Sequence, residues 1–419
     1  MSEWKFLTLK EAELEFIDGD RGVNYPKKSE LLPEGDCVFL NTGNVRQNSF
    51  DFSNLDFITK EKDNLLRNGK LQRDDIVLTT RGTVGNVALY SQEVPFSNIR
   101  INSGMVIIRV NKNFWHPYFI YLFFQSHLFK KQISRLISGS AQPQLPISIL
   151  ETVNIPQLTL DEQKEIIFNI KSIDQKIEIN NQINQELEAM AKTLYDYWFV
   201  QFDFPDQNGK PYKSSGGKMV YNPELKREIP EGWGVEKLEN IANITMGQSP
   251  KGTSYNEVGE GMLFFQGSTD FGWRFPVARQ YTTEPSRIAE EDDILLSVRA
   301  PVGTLNIADT RCCIGRGLAA INSKVGANSY IFNVMQDFKK LFDMMNSVGT
   351  TFGSITKDDL YSLKLIYPPN ELLKKFDKSV NSFDIEIKNR SRQNQELSQL
   401  RDWLLPMLMN GQVKVEDKT

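Results

Sequence analysis

The stretches "DDIVLTTRGTVG" (74–85) and "DDILLSVRAPVG" (292–303) are nearly the same twelve residues written twice, 292 − 74 = 218 positions apart. Around them the echo widens. "NQELEAMAKTLYDYWF" (184–199) aligns with "NQELSQLRDWLLPMLM" (394–409) at an offset of 210, and Trp4-Lys5 answers Trp233-Gly234 at 229. Two long copies in the same order of features are a duplication and not a solenoid. The offset shrinks from 229 to 210 along the chain, which predicts loop insertions in the first copy.

Each copy opens with an entry segment and an apolar stretch containing glycine, "VFLNTGNVRQN" (38–48) or "LFFQGSTDFGW" (263–273). The Asp-Asp segment follows, its short aliphatic runs and its Gly85 or Gly303 predicting a strand, a tight turn and a second strand. A Gly/Ser/Thr loop closes the copy, "SGSAQPQLPISILETVNIP" (138–156) or "SVGTTFGSITKDDLYSLKLIYPP" (347–369). Both bends carry an arginine, Arg81 and Arg299. Two readings stand side by side: a guanidinium paired with its own Asp-Asp dipeptide, or a donor fork offered to a phosphate or a guanine edge.

After each copy the hydrophobic period changes. Ile166, Ile170, Ile173, Ile177, Asn180, Asn184, Leu187, Ala191, Leu194 and Trp198 step by fours and threes, and so do Phe376, Val380, Phe383, Ile387, Arg390, Asn394, Leu397, Arg401, Leu404 and Leu408. This is the heptad alternation of a coiled-coil seam. Asn180 with Arg390, and Asn184 with Asn394, interrupt the two seams at equivalent places, as residues that fix register do. The seams are therefore expected to pair, as a spacer of about 50 Å. Two amphipathic helices lying each on its own domain are the alternative, but that leaves the matched interruptions unexplained. An antiparallel pair would make one chain imitate a two-fold dimer. The Gly-, Pro- and Ser-rich stretch 200–233 reads as a connector with turns at Asn208-Gly209 and Ser215-Gly216-Gly217.

Composition narrows the function. With 419 residues, 40% hydrophobic and 24% charged, the chain is a globular protein of at least two units. Three cysteines and no signal-like start point to a soluble cytoplasmic protein. The net charge of −4 does not advertise a nucleic-acid ligand, yet a local basic face is sufficient for one. His116 and His127 sit in the aromatic run "FWHPYFIYLFFQSH" with no convergent ligand, so packing roles and no metal site are expected. No nucleophile elbow, HExxH, dinucleotide fingerprint or phosphate-loop frame occurs, which argues against an enzyme acting alone.

The chain resembles the specificity subunit of type I restriction-modification systems. The likeness rests on "DYWFVQFDFPDQNGKPYKSSGGKMVYNPELKREIPEGW" (196–233), "QPQLPISILETVNIPQLTLDEQKEI" (142–166), the paired Asp-Asp segments and "GQSPKGTSYNEVGEGMLFFQGSTDFG" (247–272), and it covers essentially the whole chain. The resemblance implies an α+β, pseudo-two-fold architecture: two globular α/β target-recognition domains separated by two long antiparallel coiled-coil helices. The expected layout is 1–157 first recognition domain, 158–200 first helical spacer, 201–232 connector, 233–369 second recognition domain, 370–411 second helical spacer and 412–419 tail. It implies a non-catalytic, cofactor-free subunit that reads a bipartite, asymmetric site in double-stranded DNA. Its partners would be two methyltransferase subunits using S-adenosylmethionine and up to two restriction/translocase subunits using ATP and Mg, with no membrane involved. A duplicated scaffold binding two proteins and no DNA is the alternative.

Base recognition needs donors and acceptors on loops. In the first copy the candidates are Arg21, Asn44, Arg46, Arg81, Gln142 and Gln144, with Lys27 and Lys28 on phosphates. In the second they are Gln248, Lys251, Tyr255, Gln266, Arg274, Arg299, Arg316 and Ser354. Because the second loop lacks the Gln-Pro-Gln of the first, the two copies are expected to read different bases. Met190 and Tyr197, apolar and off the seam, are candidates for contact with a partner subunit.

Overall fold

A computed structural model describes residues 4–134, 136, 144–347, 354–409 and 411–413. The chain divides into two compact units, Met1–Ile177 with Glu396–Thr419, and Glu178–Gln395. Each holds one copy of the same four-stranded sheet. In the first unit an antiparallel sheet runs in the order Glu15–Asp18, Met105–Arg109, Ile76–Thr79, Val87–Leu89; in the second the order is Ala242–Met246, Leu318–Ser323, Ile294–Ser297, Leu305–Ile307. Each unit also has a parallel pair, Cys37–Leu40 with Ile99–Ile101 and Met262–Phe265 with Cys312–Ile314. A two-stranded closure completes each. Phe6 pairs with Pro156 and Val235 with Ile366, so 235 − 6 = 229 and 366 − 156 = 210 return the two offsets read from the sequence.

The repeated segment is a hairpin, for reasons visible in its residues. Ile76–Thr79 and Ile294–Ser297 are buried throughout, and each is entered through an aspartate with positive φ, Asp74 at +76° and Asp292 at +67°. Asparagine and aspartate tolerate that conformation better than other non-glycine residues. At the far end Gly85 (φ +96°) and Gly303 (φ +86°) donate their N–H to Thr79 and Ser297 respectively, closing the same turn in both units.

The aromatic run of the first unit is a core helix. Pro117–Gln125 starts with proline at its first position, a residue whose missing N–H is no loss there, and buries Phe119, Ile120, Phe123 and Phe124. His116 caps it, its Nδ1 accepting from the Tyr118 N–H at 3.2 Å, and burial lowers its pKa. Ile166, Ile167 and Ile170 of the first long helix (Leu160–Tyr195) and Leu405, Leu408 and Met409 of the second (Asn370–Met409) belong to the same core. The second unit is centred on aromatic rings. Phe199 lies 4.8 Å from Tyr330 and 5.0 Å from Phe376, with Tyr195 and Trp198 also against Phe376.

Within each unit the two long helices run antiparallel. In the first, Asp174 pairs with Arg401 at 3.1 Å. In the second, rising numbers meet falling ones: Asn180 with Gln393 and Asn394, Asn184 with Ser391, Trp198 with Phe376. Asn180 and Asn184 are almost completely buried. Asn180 donates to Asn394 Oδ1 at 2.8 Å and accepts from Arg390 at 3.1 Å, while Asn184 donates to Ser391 Oγ at 3.3 Å. A buried polar layer of this kind aligns at one register only, because any shift strands its donors among apolar side chains. The stretch 201–232 keeps the turns expected of a connector, with φ of +76° at Gly209 and +90° at Gly216, and adds an antiparallel hairpin, Met219–Asn222 with Arg227–Pro230. Phe202, Ile229 and Trp233 fasten it to the core of the second unit.

Candidate nucleic-acid interface

The Asp-Asp dipeptides are engaged away from the arginines that follow them. Asp75 accepts the Gln72 N–H at 2.7 Å and holds Arg109 through two bonds of 2.9 and 2.8 Å; Asp293 accepts the Glu290 N–H at 2.9 Å and Asn322 at 2.7 Å. Burial raises the pKa of Asp293. Asp74 pairs with Lys112 and Asp292 with Lys388, both at 2.6 Å. Arg81 and Arg299 are exposed, and neither guanidinium has an ion pair or hydrogen bond among the described residues. Self-pairing with the dipeptide is therefore excluded, and the donor fork is unpaired among the described residues.

Each bend is stitched to the end of the Gly/Ser/Thr loop by the same backbone bond. The Leu145 N–H donates to Thr80 O at 3.0 Å and the Ile355 N–H to Val298 O at 2.9 Å. Gln144 thereby lies opposite Arg81, and Ser354 opposite Arg299, all four exposed. Arg21 joins Arg81 and Gln144 in lining a cleft of about 200 Å³. Its own guanidinium is tied to Asp18 at 2.8 Å. Gln142 lies outside the described residues.

A second loop stands beside each hairpin, between the parallel strand and the central strand. It is Asn102-Ser103-Gly104 in the first unit and Gly315-Arg316-Gly317 in the second. The equivalence is fixed by hydrogen bonds: Thr80 N–H donates to Gly104 O, Val298 N–H to Gly317 O, both at 2.9 Å. Both loops are pressed under a glycine whose Cβ would collide with backbone, Gly19 at 2.1 Å from Asn102 O and Gly247 at 2.2 Å from Gly315 O. In the second unit Cβ atoms at Gly315 and Gly317 would come within 2.9 and 2.7 Å of the Gln266 backbone. Ser249 Oγ bonds Gln266 at 2.9–3.0 Å and accepts the Arg316 N–H at 3.3 Å. The loop is thus seated firmly, and the Arg316 side chain is exposed with no ion pair among the described residues.

Other candidates are distributed around these loops. Lys27, Lys28 and Gln248 are exposed, Lys251 lies 3.9 Å from Glu284, and Arg46 pairs with Asp51 at 3.0 Å. The Ser53 hydroxyl and backbone N–H, with Arg46, draw the Asp51 pKa down to about 2. The Tyr255 hydroxyl donates to Pro250 O at 3.0 Å and its ring packs 4.8 Å from Phe264. Two candidates require correction. Asn44 is 4% exposed, with its amide donating to Asp51 O and Asn54 O and its Oδ1 accepting the Asn41 N–H, so all its polar atoms serve its own loop. Arg274 is 7% exposed, lies over the Phe332 ring at 4.1 Å, and pairs with Glu188 at 3.0 Å and Asp384 at 2.6 Å. It locks its loop to the two long helices, its guanidinium buried against Glu188, Asp384 and Phe332. Ser103 and Ser249 were not among the candidates; aligning the two copies on their central strands would have drawn attention to Ser103, as the counterpart of Arg316.

Met190 and Tyr197 are 52% and 37% exposed. No helix among the described residues is long and apolar enough to cross a membrane.

A family model described as type I restriction modification DNA specificity domain matches residues 1–189 and 230–399. The putative type I restriction enzyme MjaX specificity subunit of Methanocaldococcus jannaschii is 31% identical over 381 residues, 89% of this chain and 86% of the relative. The HindI specificity subunit of Haemophilus influenzae is 22% identical, covering 99% of this chain and all of the relative. The S subunit of a type I system from M. genitalium has a similar fold, with a TM-score of 0.54 at 17% identity over 99% of this chain and 97% of that one. Since the family model matches both copies of the duplication and a 31% relative matches across them, the chain belongs to the type I restriction-modification DNA specificity family.

Proposed function

We propose that this chain reads a bipartite, asymmetric DNA site, one half-site for each copy of the duplicated fold, and recruits methyltransferase subunits through its long helices. The family supplies DNA-sequence specificity and is non-catalytic. S-adenosylmethionine would be used by the methyltransferases, and ATP and Mg by restriction subunits where these join, all in the cytoplasm alongside the DNA. One observation carries the reading: the two units present the same hairpin and loop frame but unlike side chains at equivalent places, Gln144 against Ser354 and Ser103 against Arg316. Equal frames bearing unequal donors suit two different half-sites.

Co-expression with the methyltransferase and mapping of the modified adenines tests this. A split site with two unlike halves is expected; a continuous site, or no sequence preference, would reject it in favour of a protein scaffold. The recruiting surface has its own test. Met190→Asp combined with Tyr197→Asp places charge on exposed apolar positions and is expected to lower methyltransferase co-purification at least tenfold. The thermal transition of the chain should be unchanged.

A further inference from the structure

The two units share some loop features and differ in others, and the division separates two kinds of DNA contact. Arg81 and Arg299 occupy the same turn, closed by the same Gly85/Gly303 hydrogen bond and bridged to the same point of the neighbouring loop. Both guanidiniums are exposed and free of ion pairs among the described residues. A phosphate is the same chemical group in every DNA sequence, so a phosphate contact can be identical in two domains that read different bases. A base contact serves both only where the two half-sites share that base. Arg316 is the opposite case, because its counterpart in the first unit is Ser103, on a loop held to its hairpin by the equivalent backbone bond. Its backbone is seated between Gly247 and Gln266, so the side chain projects from a fixed origin. A rigidly placed guanidinium matches the O6 and N7 acceptors of guanine, the pairing with the best geometric fit for an arginine fork.

We propose that Arg81 and Arg299 are phosphate anchors common to both half-sites, and that Arg316 is a specificity-determining residue reading a guanine in the half-site of the second unit. This rests on the reading of the chain as a bipartite DNA reader. Its test uses the full chain co-expressed with its methyltransferase subunits. The site is first mapped from modified adenines, and duplexes carrying it are then titrated at several salt concentrations.

Arg81→Ala and Arg299→Ala are expected to leave the mapped site unchanged and to reduce the slope of log affinity against log salt by about 0.9 each. Arg316→Ala is expected to relax one guanine position of one half-site, with a loss of discrimination there of roughly 10- to 100-fold. Arg316→Lys, which keeps the charge and loses the fork, should relax the same position while retaining the salt slope. Replacing that guanine with 7-deazaguanine should weaken the wild-type chain and leave Arg316→Ala unaffected. Relaxation of a base by Arg81→Ala or Arg299→Ala overturns the anchor assignment, and an unaltered site with Arg316→Ala overturns the reader assignment. A wild-type chain without a split site rejects the underlying reading instead, so the two failures are distinguishable.

Discussion

Phe376→Ala is expected to destabilise the second unit by about 3–5 kcal/mol, the range for deleting a fully buried aromatic side chain. Phe376 is 0% exposed and its ring contacts Tyr195, Trp198 and Phe199, residues at and just beyond the end of the first long helix. The two helices are therefore joined at this point by one ring stack, which also includes Tyr330 through Phe199. Removing the ring leaves a cavity that three neighbouring aromatic residues cannot close without leaving their rotamers. Urea unfolding followed by tryptophan fluorescence suits the measurement, since Trp198 and Trp233 both lie in this core. A loss below about 1 kcal/mol would show that the stack is not the junction it is described as.

Arg274→Ala is expected to cost about 2–3 kcal/mol and to leave the salt dependence of DNA binding unchanged. The guanidinium serves three partners, Glu188 on one long helix, Asp384 on the other, and the Phe332 ring. Its removal leaves the carboxylates without their cation; among the described residues Asp384 retains only the Ser329 hydroxyl at 2.7 Å. The two carboxylates keep 31% and 28% side-chain exposure, which places the expected loss below the full value for a buried pair. A reduced salt slope with stability intact would instead return Arg274 to the DNA surface. Thermal unfolding and salt titration on the same preparation discriminate the two.

The duplicated frame was legible because it is written in residues with strong local meaning: aspartates and glycines at forced backbone positions, aliphatic runs between them, and a heptad seam. The offsets of 229 and 210 reappear as strand registers. Partner choice was far less legible. Nothing near Asp75 in sequence indicates Arg109, thirty-four residues away, and nothing near Arg274 indicates Glu188 or Asp384. Arg274 and Arg316 look alike as loop arginines, and only tertiary burial shows that one is a fastener and the other is exposed. Asn44 misled for a related reason, since asparagine in a turn suits internal backbone bonding as well as it suits adenine. In the helices, the repeat aligns Asn180 with Arg390 and Asn184 with Asn394; antiparallel pairing sets Asn180 against Asn394 as well as Arg390, and Asn184 against Ser391.

The seat beneath Arg316 has a consequence for how such proteins diversify. Gly247, Gly315 and Gly317, with the Ser249 hydroxyl on the Arg316 N–H, hold the loop through its backbone, so the side chain at its tip is left exposed. In the first unit a serine occupies the same perch over Gly19. If the residue at this perch reads a base, as proposed, a single codon change there would alter the vocabulary of a half-site without disturbing the interior, and new specificities would be reachable one viable step at a time.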